Sequence, residues 1–180
     1  MEATIMSKKG LILLYTGNGK GKTTASLGLA LRAMGHGEKV YMIQFMKGSE
    51  SYGEIKAIRK YLPGFDLVQK GQDTFVKKGN PTQEDLRLAK EGMDLARKVI
   101  SEGNHNLVIL DEINVAVDFG LIHEEDVLEL ISLKPEHVTL VLTGRYASEK
   151  IMDKADMISE VKEIKHHYRK GIPSQPGIEY

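Results

Sequence analysis

The chain of 180 residues contains no cysteine and no tryptophan, and it carries no net charge. Without cysteine there can be no disulfide, thiolate metal site or cysteine nucleophile. The 25 basic residues balance 25 acidic ones, which argues against a dedicated nucleic-acid binder. No apolar run reaches the roughly 18 residues of a membrane-spanning helix, and residues 1–10 hold no signal-peptide pattern. We therefore expect a soluble, cytoplasmic protein without membrane or nucleic-acid partners.

Short β-branched runs alternate with helical patterns along the chain. This order predicts an α/β fold, a single doubly wound and mostly parallel sheet with helices on both faces. We expect one domain over residues 1–180, with a short leader at 1–10 and an irregular tail at 165–180. The predicted strands are 11–15, 40–46, 65–69, 107–110 and 138–142, followed by a helix–strand unit that ends near residue 164. The predicted helices are 23–34, 52–62, about 80–101 and about 124–133.

A glycine-rich loop lies between the first strand and the first helix. Its residues are Gly17, Asn18, Gly19, Lys20, Gly21, Lys22, Thr23 and Thr24. Strand, loop and helix form the context of a P-loop, in which backbone N–H groups and the helix N-terminus hold phosphate oxygens. Lys22 is expected to contact the outer phosphates of ATP, and the Thr23 hydroxyl to ligate Mg²⁺. The general pattern has glycine where this chain has Thr16, so a glycine-rich turn that merely caps a core helix is the alternative.

Asp111 and Glu112 follow the apolar run LVIL, at the carboxyl end of a predicted strand. Open α/β sheets bind their ligands at this edge. One carboxylate could hold Mg²⁺, directly or through water, while the other orients it. A solvated turn is the alternative. Arg145 follows another strand in the stretch Thr143-Gly144-Arg145, where it could reach a phosphate or remain a surface arginine.

Other nucleotide and metal motifs are missing from the sequence. The segment Asp153-Lys154-Ala155-Asp156 lacks the asparagine of a guanine-reading motif, and we interpret it as solvated helix surface. The six histidines show no metal-ligand spacing. His166 and His167 are adjacent, so in a strand their side chains would face opposite ways.

Several segments together resemble the ATP:corrinoid adenosyltransferases of the CobA type. The loop TGNGKGKTTA is similar to that family's P-loop, threonine included. Further similarities are AMGHG at 33–37, QFMKG at 44–48 followed by Gly53-Glu54, LDE at 110–112, TGR at 143–145, and the ending KH…G…QPGIEY. The pieces occur in the family's order over residues 11–180.

The resemblance implies a P-loop fold of the RecA-like kind and transfer of the 5′-deoxyadenosyl group of ATP to Co(I) of a corrinoid, with release of triphosphate. It implies ATP as substrate with Mg²⁺ or Mn²⁺, a homodimer, and an external electron donor such as a reduced flavoprotein. Lys22 and Arg145 are the catalytic candidates. Co(I) is itself a strong nucleophile, and the sequence offers no obvious general base.

By the same resemblance, Phe75, Lys77 and His166 are the corrinoid-binding candidates. Phe75 corresponds to a family phenylalanine thought to displace the lower axial ligand of cobalt, whereas Lys77 stands where a tryptophan is frequent. For Phe75 the alternative is a core-packing aromatic, and for the tail it is a solvated end rather than a cover over the site. For the whole chain, a small-molecule kinase and a non-catalytic ATP-binding protein remain open.

Overall fold

The computed structural model describes residues 9–180, so most of the predicted leader lies outside the described residues. Six strands form one sheet in which every neighbouring pair is parallel. The strands are β1 (Ile12–Thr16), β2 (Val40–Phe45), β3 (Phe65–Lys70), β4 (Leu107–Asp111), β5 (Thr139–Thr143) and β6 (Met157–Glu160). Their order in the sheet is β3-β2-β4-β5-β1-β6. The predicted parallel sheet is confirmed.

Helices cover both faces of this sheet, as predicted. They are α1 (Lys22–Met34), α2 (Gly53–Tyr61), α3 (Gln83–Glu102), α4 (Ile113–Asp118), α5 (Glu124–Leu133) and α6 (Glu149–Met152). One buried cluster joins the sheet to α3, α4, α5 and α6, and a second joins it to α1 and α2. Within the described part of the chain, no helix is long and apolar enough to cross a membrane.

The start of helix α3 and the face it buries both follow from its sequence. Thr82 and Asp85 form a reciprocal capping box at its start, in which the Thr82 side chain accepts from the Asp85 N–H and Asp85 accepts from the Thr82 N–H. The predicted apolar stripe faces the core. Gly92 lies against the buried Phe45, because a Cβ there would stand 2.5 Å from the Phe45 ring.

Two features differ from the sequence-based expectations. The six-residue helix α4 was not predicted, because it is too short to display a helical period. The interpretation of residues 153–156 as helix surface is wrong, since α6 ends at Met152. Asp156 instead accepts a 2.7 Å hydrogen bond from the N–H of Ile12, so the segment binds β1 just before β6 begins.

Candidate active site

The carboxyl ends of the central strands open onto a cavity of about 780 Å³, the size range of small-molecule sites. The glycine-rich loop forms one end, and the last four residues of the chain contribute to the rim. The predicted site residues that line the cavity are Gly19, Lys20, Gly21, Lys22, Thr23, Thr24, Phe75, Glu112, Arg145 and His166. Gly17, Asn18, Lys77 and Asp111 are not among its lining residues.

The glycine-rich loop packs closely against the segment that follows β6. Gly17 has φ 95°, a conformation that favours glycine, and a Cβ there would lie 2.4 Å from the carbonyl oxygen of Val161. The N–H of Gly19 donates to that same oxygen at 2.7 Å. Asn18 adds a contact, since its Oδ1 accepts from the N–H of Glu163 at 3.1 Å. Backbone packing therefore favours glycine at positions 17 and 19, whereas a Cβ at Gly21 would meet no atom within 4 Å.

Thr16, which departs from the general P-loop pattern, is the last residue of β1 rather than the first residue of the turn. It is buried, and its carbonyl oxygen accepts from the N–H of Val161 at 2.9 Å. The chain leaves the strand at Gly17. Threonine is compatible with this position because it is β-branched and suits an extended backbone.

Lys22 begins α1 and is almost completely buried at the base of the loop. Its Nζ donates to the carbonyl oxygens of Gly17 at 2.8 Å and Gly19 at 2.7 Å. Burial lowers the pKa of this ammonium, and the nearby Arg145 and Lys47 lower it further, whereas Glu112 opposes the shift. A polyphosphate in the cavity would return a negative partner to this group.

Asp111 is the most heavily bonded side chain of the site, and it is fully buried at the end of β4. Its two oxygens accept four hydrogen bonds, from Thr23 Oγ1 (2.9 Å), Thr143 Oγ1 (2.7 Å), Gln44 Nε2 (3.2 Å) and Lys47 Nζ (2.7 Å). The donors come from α1, β5, β2 and the segment after β2. Asp111 thus ties together the ends of several elements, and the interpretation of the acidic pair as only a solvated turn is wrong for this residue.

Lys47 is a site residue to which sequence reasoning gave no role. Its Nζ lies 2.7 Å from Asp111 Oδ2 and 3.2 Å from Thr23 Oγ1, so one ammonium bridges both oxygens. Burial alone would lower the pKa of Lys47, but Asp111 and Glu112 outweigh it and raise the pKa. The signal that could have found it is its position just after β2, since Gln44 of β2 pairs in register with Asp111.

Thr143 is the second residue that sequence reasoning left without a role. Its hydroxyl donates to Asp111 Oδ1 and accepts from the backbone N–H of Glu112 at 3.0 Å. Strand β5, which Thr143 ends, lies between β1 and β4 in the sheet. Thr143 therefore connects the end of β5 to the end of β4, where the acidic pair lies.

Glu112 and Arg145 face the cavity from the two neighbouring strand ends. Glu112 has φ 61°, and burial together with the charge of Asp111 raises the pKa of its carboxyl group. Arg145 is exposed, after Gly144 with φ 129°. A Cβ at Gly144 would stand 3.1 Å from Asn114 Cβ, so close packing and backbone conformation both favour glycine there.

The oxygen atoms near the loop form a donor set that fits Mg²⁺. Thr23 and Glu112 offer a hydroxyl and a carboxylate on the cavity lining, and oxygens of this kind are the hard ligands that this ion prefers. Asp111 offers a second carboxylate behind them, which would bind the ion only in exchange for hydrogen bonds it now accepts. The ammonium of Lys47 already occupies the space between Thr23 and Asp111, which shows that a cation is electrostatically favoured there. These are the residues that could hold the metal.

The cavity is also lined by exposed aromatic side chains. The side chain of Phe75 is fully exposed, so the alternative interpretation as a core-packing aromatic is wrong. Tyr146, also well exposed, lines the same cavity. Lys77 is exposed and does not line the cavity. Its neighbour Lys78 is held at 2.5 Å from Asp118 Oδ2, and its Nζ lies 5.4 Å from the Tyr146 ring centroid.

The tail runs along the rim of the cavity. It forms a 3₁₀ turn at His167–Lys170 and ends beside Gly53, where a Cβ would lie 3.8 Å from the carbonyl carbon of Tyr180. His166 and residues 177–180 line the cavity. The tail is largely exposed, as the alternative interpretation expected, yet it also borders the site.

The parallel sheet, with a glycine-rich loop between β1 and α1 and a buried aspartate at the end of β4, defines a P-loop α/β protein with a cavity beside the loop. Residues 8–180 match the model of the family described as ATP:corrinoid adenosyltransferase BtuR/CobO/CobP, and the chain belongs to this family.

Relatives with this description cover nearly the whole chain. The chain is 33% identical over 178 residues to a corrinoid adenosyltransferase of Escherichia coli K12, covering 99% of this chain and 89% of the relative. It is 34% identical over 179 residues to one of a Sinorhizobium species, covering 99% and 84%. It is 32% identical to the corrinoid adenosyltransferase CobA of Salmonella typhimurium LT2, covering 99% and 89%.

Proposed function

We propose that this chain transfers the 5′-deoxyadenosyl group of ATP to the Co(I) centre of a corrinoid and releases triphosphate, forming adenosylcobalamin or a precursor. Membership in the adenosyltransferase family supports the reaction. The observation that carries it in the structure is one cavity lined both by Lys22 and the glycine-rich loop and by the exposed ring of Phe75. A polyphosphate suits the loop and its lysine, and a flat, apolar macrocycle suits the exposed ring.

The chemistry requires positioning rather than proton transfer. The electron pair of Co(I) forms the cobalt–carbon bond as the bond between C5′ and the phosphate oxygen breaks, and the bonding pair leaves with triphosphate. The enzyme must align cobalt with C5′ and stabilise charge on the leaving group. Lys22, Arg145 and the N–H groups of residues 17–24 are the groups proposed to do so.

Thr23, Asp111 and Glu112 are the proposed ligands of Mg²⁺, or of Mn²⁺ in its place. When bound, the ion neutralises negative charge on the polyphosphate. We propose that Lys47 holds the side chain of Asp111 in place before the ion arrives, since its ammonium lies between the same oxygens.

The corrinoid is proposed to lie against Phe75, Lys77 and His166. Of these, Phe75 and His166 are supported by their position on the cavity, whereas Lys77 would need to turn toward it. We further propose one domain over the whole chain, a homodimer, a cytoplasmic location, and an external electron donor such as a reduced flavoprotein, because the chain has no cysteine with which to carry electrons.

Product identity tests the proposal. The protein is incubated anaerobically with ATP, Mg²⁺ and cob(I)alamin generated by a chemical reductant, and phosphorus products are separated while the corrinoid spectrum is recorded. We expect triphosphate in equal amount to a light-sensitive alkylcorrinoid. Formation of ADP would indicate a kinase instead, and nucleotide binding without turnover would indicate a binding protein.

A further inference from the structure

Three potential metal ligands gather in the tail, although they are distributed over fourteen residues of sequence. One ligand atom from each of His166, His167 and Glu179 lies within 4.8 Å of the other two. All three side chains are partly buried. Among the residues that the structure describes, this is the cluster of imidazole and carboxylate groups with the geometry of a metal site.

The local backbone explains why the adjacent histidines meet. His166 has an extended backbone and precedes the 3₁₀ turn that His167 begins. The expectation that the two rings face opposite ways was made for a strand and does not apply, because neither residue lies in one. Their centroids lie 4.6 Å apart with an angle of 27° between the ring planes.

Glu179 completes the cluster from the far end of the tail. Its Oε2 accepts from the backbone N–H of Gln175 at 2.8 Å, which fixes the carboxylate. Its Oε1 is buried and has no hydrogen bond within the described residues, although it lies 3.2 Å from His167 Nε2. One oxygen is therefore anchored by the backbone, and the other is buried beside the imidazole of His167 without a hydrogen bond of its own.

We propose that His166, His167 and Glu179 form a binding site for a divalent transition ion of the Zn²⁺ type, separate from the Mg²⁺ ligands at the loop. Two imidazole nitrogens and one carboxylate oxygen favour such an ion over Mg²⁺, which prefers oxygen alone. Three protein ligands leave a fourth tetrahedral position for water.

Binding needs a small closure of the cluster. Ligand atoms about 2.1 Å from a tetrahedral zinc ion stand roughly 3.4 Å apart, so side-chain rotations bring the three atoms together. A neutral imidazole has one lone pair. That of His166 now accepts from the N–H of Tyr168 at 3.2 Å, and coordination exchanges this long hydrogen bond for a metal bond.

A bound ion would join the two ends of the tail. Residues 166 and 167 precede the 3₁₀ turn, Glu179 is the penultimate residue, and His166 and Glu179 both line the cavity rim. Coordination would close the intervening loop and hold it beside the cavity. Arg169 and Lys170 lie within this loop, so a trypsin cleavage site reports whether it is held.

The site is tested on tag-free, full-length protein freed of metal with a chelator. Zn²⁺ is titrated in competition with a chromophoric chelator, and we expect one equivalent to bind. His167→Ala and Glu179→Gln should each weaken this binding at least 10-fold, whereas His36→Ala, which removes an exposed histidine elsewhere, should leave it unchanged. Asp111→Asn should also retain the zinc site, which separates it from the loop.

Two readouts are independent of adenosyl transfer. Cu²⁺ bound to the wild-type protein should show nitrogen hyperfine splitting in its EPR spectrum, and His167→Ala should reduce it. Zn²⁺ should slow trypsin cleavage after Arg169 and Lys170 in the wild type but not in Glu179→Gln. Absence of stoichiometric Zn²⁺ binding, or equal binding by His167→Ala and His36→Ala, would overturn the proposal.

Discussion

Behind the glycine-rich loop, in the polar part of the site, Asp111 is fully buried and accepts four hydrogen bonds, while in the apolar part the ring of Phe75 is fully exposed on the cavity. The first region is held by donors from several elements before any ligand arrives. The second belongs to an irregular loop and to the tail. The polar groups of the first region are costly to bury unpaired, so the fold satisfies them itself.

The two regions therefore differ in what orders their side chains. A preorganised polar part can stabilise developing charge without rearranging during the reaction. The apolar part has surface that only a partner can cover. Substitutions in the polar part should therefore change rate or folding stability, whereas substitutions in the apolar part should change ligand recognition and leave folding intact.

The largest effect is expected from Lys22→Ala. It removes the ammonium that is proposed to contact the leaving polyphosphate, and kcat/KM should fall by on the order of 10²–10³, as for loss of one electrostatic stabiliser. Steady-state kinetics with saturating corrinoid measures it. Lys56→Ala, on the exposed face of α2, is the matched control and should keep the wild-type value. Near-normal turnover in Lys22→Ala would remove this residue from the mechanism.

The next effect concerns folding. Lys47→Met leaves the buried carboxylate of Asp111 without its cationic partner, and breaking a buried ion pair is strongly destabilising. Three other donors still bond to Asp111 in this variant. We therefore expect the free energy of unfolding, measured with a chelator present to remove metal ions, to fall by about 2–3 kcal/mol, which is less than the full loss on breaking a buried pair. Urea denaturation measures it.

Lys70→Met is the control for this prediction, since its partner Glu91 is much more exposed than Asp111 and the variant should lose much less stability. Mg²⁺ should stabilise Lys47→Met more than the wild type, because the ion replaces the missing positive charge. Equal losses in the two variants, or no response to Mg²⁺, would contradict the role given to Lys47.

The smallest effect on folding is expected in the apolar part of the site. Phe75→Ala removes an exposed ring, so unfolding should change by no more than about 0.5 kcal/mol. Its effect should appear in the EPR spectrum of cob(II)alamin bound with ATP, where the wild type loses the lower-ligand signal and the variant retains it.

Cob(II)inamide provides the reference spectrum without that lower ligand. Tyr61→Ala removes another exposed aromatic, outside the cavity lining, and should behave as the wild type. Unchanged coordination in the wild type itself would count against ligand displacement by Phe75.

Local patterns predicted the elements that carry the polar part of the site. The loop could be predicted because its signals are contiguous in sequence: an apolar run before Gly17, the glycine spacing, and a helical pattern after Lys22. The partners of Asp111 could not be predicted in this way, because the order of strands in the sheet is what brings Thr143 and Lys47 to it. Likewise, His166 lies near Glu179 only because the tail turns back on itself. A periodic pattern in the sequence cannot predict such a reversal of the chain.

The backbone contact between Gly19 and Val161 has a consequence for how the affinities of the two proposed substrates depend on each other. The loop is joined at its back to the segment that leads into the tail, so a shift of either one displaces the other. If nucleotide binding fixes the conformation of the loop, it also fixes the segment that leads into the tail. The binding of the two proposed substrates is then thermodynamically linked. Such linkage is reciprocal: the factor by which ATP changes corrinoid affinity must equal the factor by which corrinoid changes ATP affinity.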